Sequence, residues 1–309
     1  RIRKMLGLVT SGRHTSVTEW AERHRTVVLP GAGRFPELCM LPVDADLDDL
    51  PELHGDGRRI VQLKADGLRA LYLDGRIVSR EGGALDCALH CQPALRRLEE
   101  AFGQPMMFDG EYVEEDGFNA TIAAQRRGEG AGVFWLFDAM PYAQWCAGGT
   151  NESTRSRLTT LRRHVMAAAS PFVGMLDFWE MDAYQTRTKA LELFREGYEG
   201  IVTKDADAGY VRARSAHWRR IKDRRVADLP VIDVMIKDGR LKAIVLRGPD
   251  GGKPLQVGSG WNADRARLMI ARFEKGHTVM ARIRYELTVG TTRSVRSVVF
   301  LGFVGEMPC

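Results

Sequence analysis

Long apolar runs are missing from this chain. The longest, such as Val298 to Val304, have the length of a strand. That is far below the roughly 20 residues with which a helix spans a bilayer, so no membrane partner is expected. Arg1, Arg3 and Lys4 are not followed by an apolar core of secretory-signal length. The chain begins at Arg1 and not at Met, and its true start is expected to lie upstream. Cysteine is scarce too. There are five, without the spacing of a disulfide framework. Cys87 and Cys91 bracket His90, yet no second pair stands nearby to complete a zinc site. Reduced thiols in a cytosolic protein are the expectation. Internal repeats and low-complexity tracts are also lacking, which argues against solenoids and disordered arrays.

What is present is enough for two domains of ordinary size, since 309 residues can close two separate cores. A hydrophobic content of 44% with 28% charged residues sits in the globular range. The net charge of +5 is compatible with a polyanionic partner but does not identify one. Placement says more. Arg212, Arg214, Arg219, Arg220, Lys222, Arg224 and Arg225 crowd one short segment, a pattern suited to phosphate groups.

Up to Arg59 the pattern is thin: a helix over Val17 to His24, then loops broken by Pro30, Gly31, Gly33 and Pro36. The acidic stretch Asp44 to Glu52 is expected to lead into the first core strand. Ile60 to Lys64 reads as a strand. Leu68 to Leu73 and Arg76 to Ser79 read as a hairpin across Asp74-Gly75. Helical spacing follows over Pro93 to Phe102, Ser153 to Ala169 and Thr188 to Glu196, with strands at Met106 to Val113, Gly132 to Phe137, Gly200 to Thr203 and Trp218 to Lys222. From Leu229 the texture changes to short strands: Val231 to Ile236, Leu241 to Leu246, Leu255 to Val257, Thr278 to Leu287 and Val295 to Val304. Asn262 caps a helix running through Glu274. Five short strands with a helix between the third and fourth match an OB-fold barrel.

Lys64-Ala65-Asp66-Gly67-Leu68-Arg69 fills every fixed position of Lys-x-Asp-Gly-x-Arg, and further segments follow in order. These are Ser79-Arg80, Phe108-Asp109-Gly110-Glu111, Phe134-Trp135-Leu136-Phe137-Asp138, Glu199-Gly200-Ile201-Val202-Thr203-Lys204 and Trp218-Arg219-Arg220-Ile221-Lys222. The ordered set resembles the covalent nucleotidyltransferases: ATP-dependent DNA ligases, RNA ligases and mRNA capping enzymes. Gly117-Phe118-Asn119 and Val257-Gly258-Ser259-Gly260-Trp261 are similar to features of the short phage and bacterial ATP-dependent DNA ligases. Such enzymes lack the large helical DNA-clamping domain, for which residues 1–59 are too few.

The resemblance implies an α+β fold. An ATP-grasp-like adenylation (nucleotidyltransferase) domain of antiparallel sheets with helices would span residues 60–225 and an OB-fold domain residues 226–309, with residues 1–59 an N-terminal segment of open role. It further implies that Lys64 is the nucleophile that takes AMP from ATP. A lysine amine attacks phosphorus only when unprotonated, and its free pKa is about 10.4. Arg69, Lys204, Lys222 and a bound Mg²⁺, with Mn²⁺ as a substitute, would favour the neutral amine and neutralise the leaving pyrophosphate. Glu111 and Glu199 are hard oxygen donors for Mg²⁺ and for ribose hydroxyls. Phe137 would cover one adenine face, with Ile201 opposite. Gln62, where many DNA ligases carry Glu, stands near the purine. Arg220, in place of the usual lysine, would serve the phosphates as a planar guanidinium. Arg80 would take the 5′-phosphate of a nick, with Arg212, Arg214 and Arg219 on DNA phosphates. Arg296, in a segment only loosely similar to the family's last motif, would orient pyrophosphate.

The implied partner is nicked duplex DNA, in repair, replication or recombination, bound by a monomer. An RNA ligase and a GTP-dependent capping enzyme share Lys-x-Asp-Gly and are the rival enzymes. A non-catalytic nick-binding module is the rival of another class.

Overall fold

The computed structural model describes residues 35–55, 57–288 and 294–304. The helix expected over Val17 to His24 lies outside the described residues. The chain forms two compact units, each assembled from separated stretches.

The first unit is Gly67–Leu176 with Asp207–Ser215 and the segment ending at Leu41. Its sheet has the order Arg76–Ser79, Leu68–Leu73, Met106–Val113, Val133–Pro141, Val173–Met175. All neighbours are antiparallel except the last pair, which is parallel. The hairpin turns at Asp74 and Gly75, both with positive φ (48° and 74°), the geometry an Asp-Gly turn of this type requires. Ala70, Tyr72, Phe108, Phe134 and Leu136 on one face bury against Leu95 and Leu98 of the helix Gln92–Phe102 and Leu161 and Val165 of the helix Thr154–Ala168. The second helix starts where Ser153 accepts a hydrogen bond from the Ser156 N–H at 3.2 Å. Its Leu158, Leu161 and Val165 stripe is buried, as the 3.6-residue spacing predicts.

The second unit is Pro42–Asp66, Asp177–Ala206 and Ala216–Cys309. Its first sheet has the order Leu41–Ala45, Arg214–Lys222, Gly200–Lys204, Arg59–Leu63, Phe178–Met181. The acidic stretch after Asp44 ends the first of these strands and then forms a 3-10 turn, Leu47–Asp49, and a short helix, Leu50–His54. The helix Ala183–Glu196 begins five residues earlier than its apolar spacing predicts. Asp182 and Gln185 form a reciprocal capping box there. Its Ala190, Leu193 and Phe194 pack on Val61, Ile201 and Ile221.

A second sheet of this unit has the order Leu255–Val257, Arg240–Leu246, Arg224–Lys237, Met280–Thr288, Ser294–Val304. Asn262 caps the helix Ala263–Glu274, which lies between the third and fourth strands in sequence, and accepts the Arg265 N–H at 2.8 Å. Ile244, Leu246, Met269, Ala281 and Ile283 share its core. No helix among the described residues is long and apolar enough to cross a membrane.

Candidate active site

Three neighbouring strands of the second unit end in charge. Lys64 directly follows Arg59–Leu63, and its N–H donates to the Gly200 carbonyl at 2.9 Å, extending the ladder by one residue. Glu199 directly precedes Gly200–Lys204, and Lys222 closes Arg214–Lys222 opposite Gly200. Gly200 has to be glycine, because a Cβ there would sit 2.2 Å from the Ile221 carbonyl oxygen and push the strands apart.

The register therefore gathers the three side chains at one sheet end. The Lys64 ammonium donates to one oxygen of Glu199, and Lys222 pairs with the other at 3.0 Å. Lys222 also donates to Glu286 of Met280–Thr288 at 3.0 Å. Burial pushes the Glu199 carboxyl up, but Lys64 and then Lys222 outweigh it and hold the group below the ordinary carboxylate value. Burial likewise opposes charge on Lys222, and Glu199 and Glu286 hold its pKa above the usual lysine value.

Pairing also sorts the sheet into two faces. Gln62, Val202 and Arg220 are register partners, as are Ile60, Lys204 and Trp218. Val61, Thr203 and Arg219 form a row of the opposite, helix-covered face, as do Leu63, Ile201 and Ile221. This corrects one expectation. Ile201 is fully buried in the core with Leu193 and Phe194, so it cannot present itself to a purine. Val202, one residue on and half-buried, lies on the same face as Gln62. Lys204 is buried with its ammonium 3.9 Å from the Trp218 ring centroid. Gln62 is buried on this face. Arg220 binds Asp44 through Nε and Nη2, the latter at 3.2 Å. That hydrogen bond is the main reason the Asp44 carboxyl lies below its ordinary value.

In the first unit Arg69 is held from several sides. Its Nε and Nη2 reach the two oxygens of buried Asp109 at 2.8 and 2.6 Å, and Nη2 also donates to the Met40 carbonyl at 2.9 Å. Tyr210, fully buried, donates its hydroxyl to Asp109 at 2.6 Å and accepts the Met40 N–H at 2.9 Å. Burial works against the Arg69 charge, but Asp109 keeps it well above its usual pKa. The pairing steps from Gly110↔Leu136 to Asp109↔Asp138, leaving Phe137 as the extra residue of a bulge. Phe137 is half-buried, and the Arg69 guanidinium lies 4.7 Å from its ring centroid. Glu111 pairs with Arg69 across the strands and accepts the Gly67 N–H at 3.2 Å. A Cβ on Gly67 would stand 2.3 Å from the Tyr112 carbonyl oxygen, so this close approach requires glycine.

Among the expected DNA contacts, Arg80 is exposed and pairs with Glu81 at 2.7 Å. Arg214 is exposed, and Arg219 is half-buried on the helix-covered face. Arg212 is a second correction: it is 1% exposed, lies 3.9 Å from the Trp145 ring centroid and donates to the Trp145 and Glu37 carbonyls. A guanidinium spent inside the fold cannot grip a phosphate. Arg296 lies opposite Glu286 in the strand register, and its side chain is outside the described residues. Asp44, Asp109, Tyr210 and Glu286 received no role from the sequence. Asp109 alone carried a signal, standing two residues before Glu111 within an ordered segment.

Among the described residues no group of three or more His, Cys, Asp or Glu side chains could cage a metal ion. The paired Glu199 carboxylate fits the other mode, in which Mg²⁺ takes one or two carboxylates and completes its shell with substrate phosphates and water.

No family model matches the chain, and no curated protein matches it. Solved structures do. The structure "Pmar-Lig_PreS3" is 23% identical with a TM-score of 0.67, over 87% of this chain and 68% of the other. A structure of Lig E DNA ligases, described as DNA binding with a minimal scaffold, is 19% identical with a TM-score of 0.60, over 85% and 98%. The ATP-dependent DNA ligase from bacteriophage T7 in complex with ATP is 14% identical with a TM-score of 0.55, over 86% and 98%. At these identities the likeness speaks for the fold, and the fold of this chain is that of the Lig E and T7 DNA ligases.

Proposed function

We propose that this chain is an ATP-dependent DNA ligase that seals 5′-phosphate/3′-hydroxyl nicks. The observation that carries the reading is Lys64, first residue of Lys-x-Asp-Gly-x-Arg, fixed by Glu199 beside Lys222 where three strands end. An isolated surface lysine has no such setting. The fold shared with the Lig E and T7 ligases supports the polymer and the nucleotide.

The Lys64 ammonium first releases a proton to solvent, and the neutral Nζ then attacks the α-phosphorus of ATP, losing its second proton to solvent as the phosphoramidate forms. An N–P bond forms, the P–O bond to pyrophosphate breaks, and pyrophosphate leaves. AMP then passes to the 5′-phosphate of the nick, and the 3′-hydroxyl displaces AMP to form the phosphodiester. Glu199 orients the Lys64 amine, and the Lys222 ammonium offsets charge on the leaving phosphates. Lys204 and Arg220 stand along the same sheet face, with Gln62 and Val202 assigned to the purine in place of Ile201. In the first unit Arg69, locked by Asp109, supports Phe137, to which the resemblance gives a role against an adenine face. Glu199 would hold Mg²⁺, which when bound neutralises phosphate charge, and the resemblance gives Glu111 an oxygen-donor role in its own unit. Arg80, Arg214 and Arg219 remain the DNA contacts, and Arg212 is withdrawn. The C-terminal sheet with its intervening helix is assigned as an OB-fold domain over 226–309, following the adenylation domain over 60–225, in a monomer.

A sealing assay tests the reading. With ATP and Mg²⁺ the protein should join a nicked duplex DNA carrying a 5′-phosphate and leave the unphosphorylated nick open. Joining only of a nicked RNA duplex, or joining with GTP and not ATP, would replace this reading with a rival.

A further inference from the structure

Lys222 has three N–H donors. One goes to Glu199 at the end of its own sheet, and a second goes to Glu286, which no sequence motif marks. Backbone pairing puts Glu286 there: it stands opposite Arg224 in the ladder between Arg224–Lys237 and Met280–Thr288. Its carboxylate meets Lys222 through one oxygen at 3.0 Å, and its other oxygen lies 3.9 Å from the Arg224 guanidinium. Arg224 in turn pairs with Asp44 at 3.4 Å and Asp46 at 3.0 Å. Lys222 and Glu286 side chains are each 16% exposed, so water screens their attraction less than at an open surface. One anionic group bridging two cations is the arrangement a phosphate oxygen would make with the same pair.

We propose that Glu286 is an internal anion that competes with the polyphosphate of the nucleotide for Lys222, and so sets the affinity for ATP. The inference rests on the reading of Lys64 and Lys222 as a nucleotide site. Binding ATP exchanges one anion for another on Lys222, so part of the attraction to the nucleotide is offset by the ion pair given up. Removing the charge of Glu286 while keeping its shape leaves Lys222 with Glu199 as its one remaining carboxylate partner among the described residues and frees its other donors for the phosphates.

Calorimetric titration of ATP in the presence of Mg²⁺ tests this, with Lys64→Ala as the background so that no covalent transfer follows binding. Adding Glu286→Gln should tighten the Kd for ATP by about threefold to tenfold, the worth of one partly screened ion pair. In a Lys64→Ala/Lys222→Ala background the same change should have no effect, because the contested cation is gone. Thermal melting of each variant checks that the fold is kept. An unchanged or weaker Kd on Glu286→Gln, or equal tightening with and without Lys222, would overturn the proposal. Wild-type protein mixed with α-labelled ATP separates the two claims. Label on the wild type without a Glu286 effect sinks only this inference, whereas no label and no ATP binding sinks the functional reading and this inference with it.

Discussion

Glu199 carries two ammonium groups on one carboxylate, Lys64 on one oxygen and Lys222 on the other. Its pKa lies below the ordinary value of 4.5, so it binds fewer protons in the folded chain than in the unfolded one. The sign follows: its contribution to stability is complete above about 4.5 and is lost as pH falls through the lowered folded value. Glu199→Gln should therefore flatten the acid limb of the melting temperature plotted against pH, while near neutrality the variant melts lower than wild type. An acid limb as steep in the variant as in the wild type would remove Glu199 from this role. At this scale the sequence was most informative. Lys64, Glu199 and Lys222 come together as the ordered segments implied, because each ends or adjoins a strand whose apolar residues fix its place. Arg212 was misread because a run of arginines looks the same in sequence whether it faces solvent or, as at Arg212, lies against Trp145.

At the scale of the element, a strand covered on one face by a helix assigns alternate residues to opposite fates. Gly200–Lys204 does this with Ile201 in the core and Val202 beside Gln62. Sequence reading placed the strand and missed the phase by one residue, since Gly-Ile-Val-Thr is apolar on both sides and carries no alternation to read. The two residues should separate in experiment. Ile201→Ala should destabilise the chain by about 2–5 kcal/mol in urea unfolding, as a large-to-small change in a core does, while ATP still binds. Val202→Asp should weaken ATP binding with a smaller loss of stability. The reverse pattern would return the purine contact to Ile201. The bulge at Phe137 was likewise unreadable, because it depends on the partner strand and not on local propensity.

At the scale of the molecule, the C-terminal sheet was legible because turns such as Asp238-Gly239, both at positive φ, punctuate short strands. The grouping of the rest was not. Each compact unit is sewn from stretches far apart in the chain, and hydrophobic periodicity is blind to which distant strands pair. Weak short strands such as Val173–Met175 and Tyr210–Val211 exist only through those pairings. The central claim, that Lys64 takes AMP from ATP, is tested most directly by mixing the chain with α-labelled ATP and Mg²⁺, denaturing it, and resolving it on a gel. The account predicts label that stays with the denatured wild type, is removed by added pyrophosphate and is absent from Lys64→Ala. A wild type that takes no label, or a Lys64→Ala variant labelled as strongly, would contradict it.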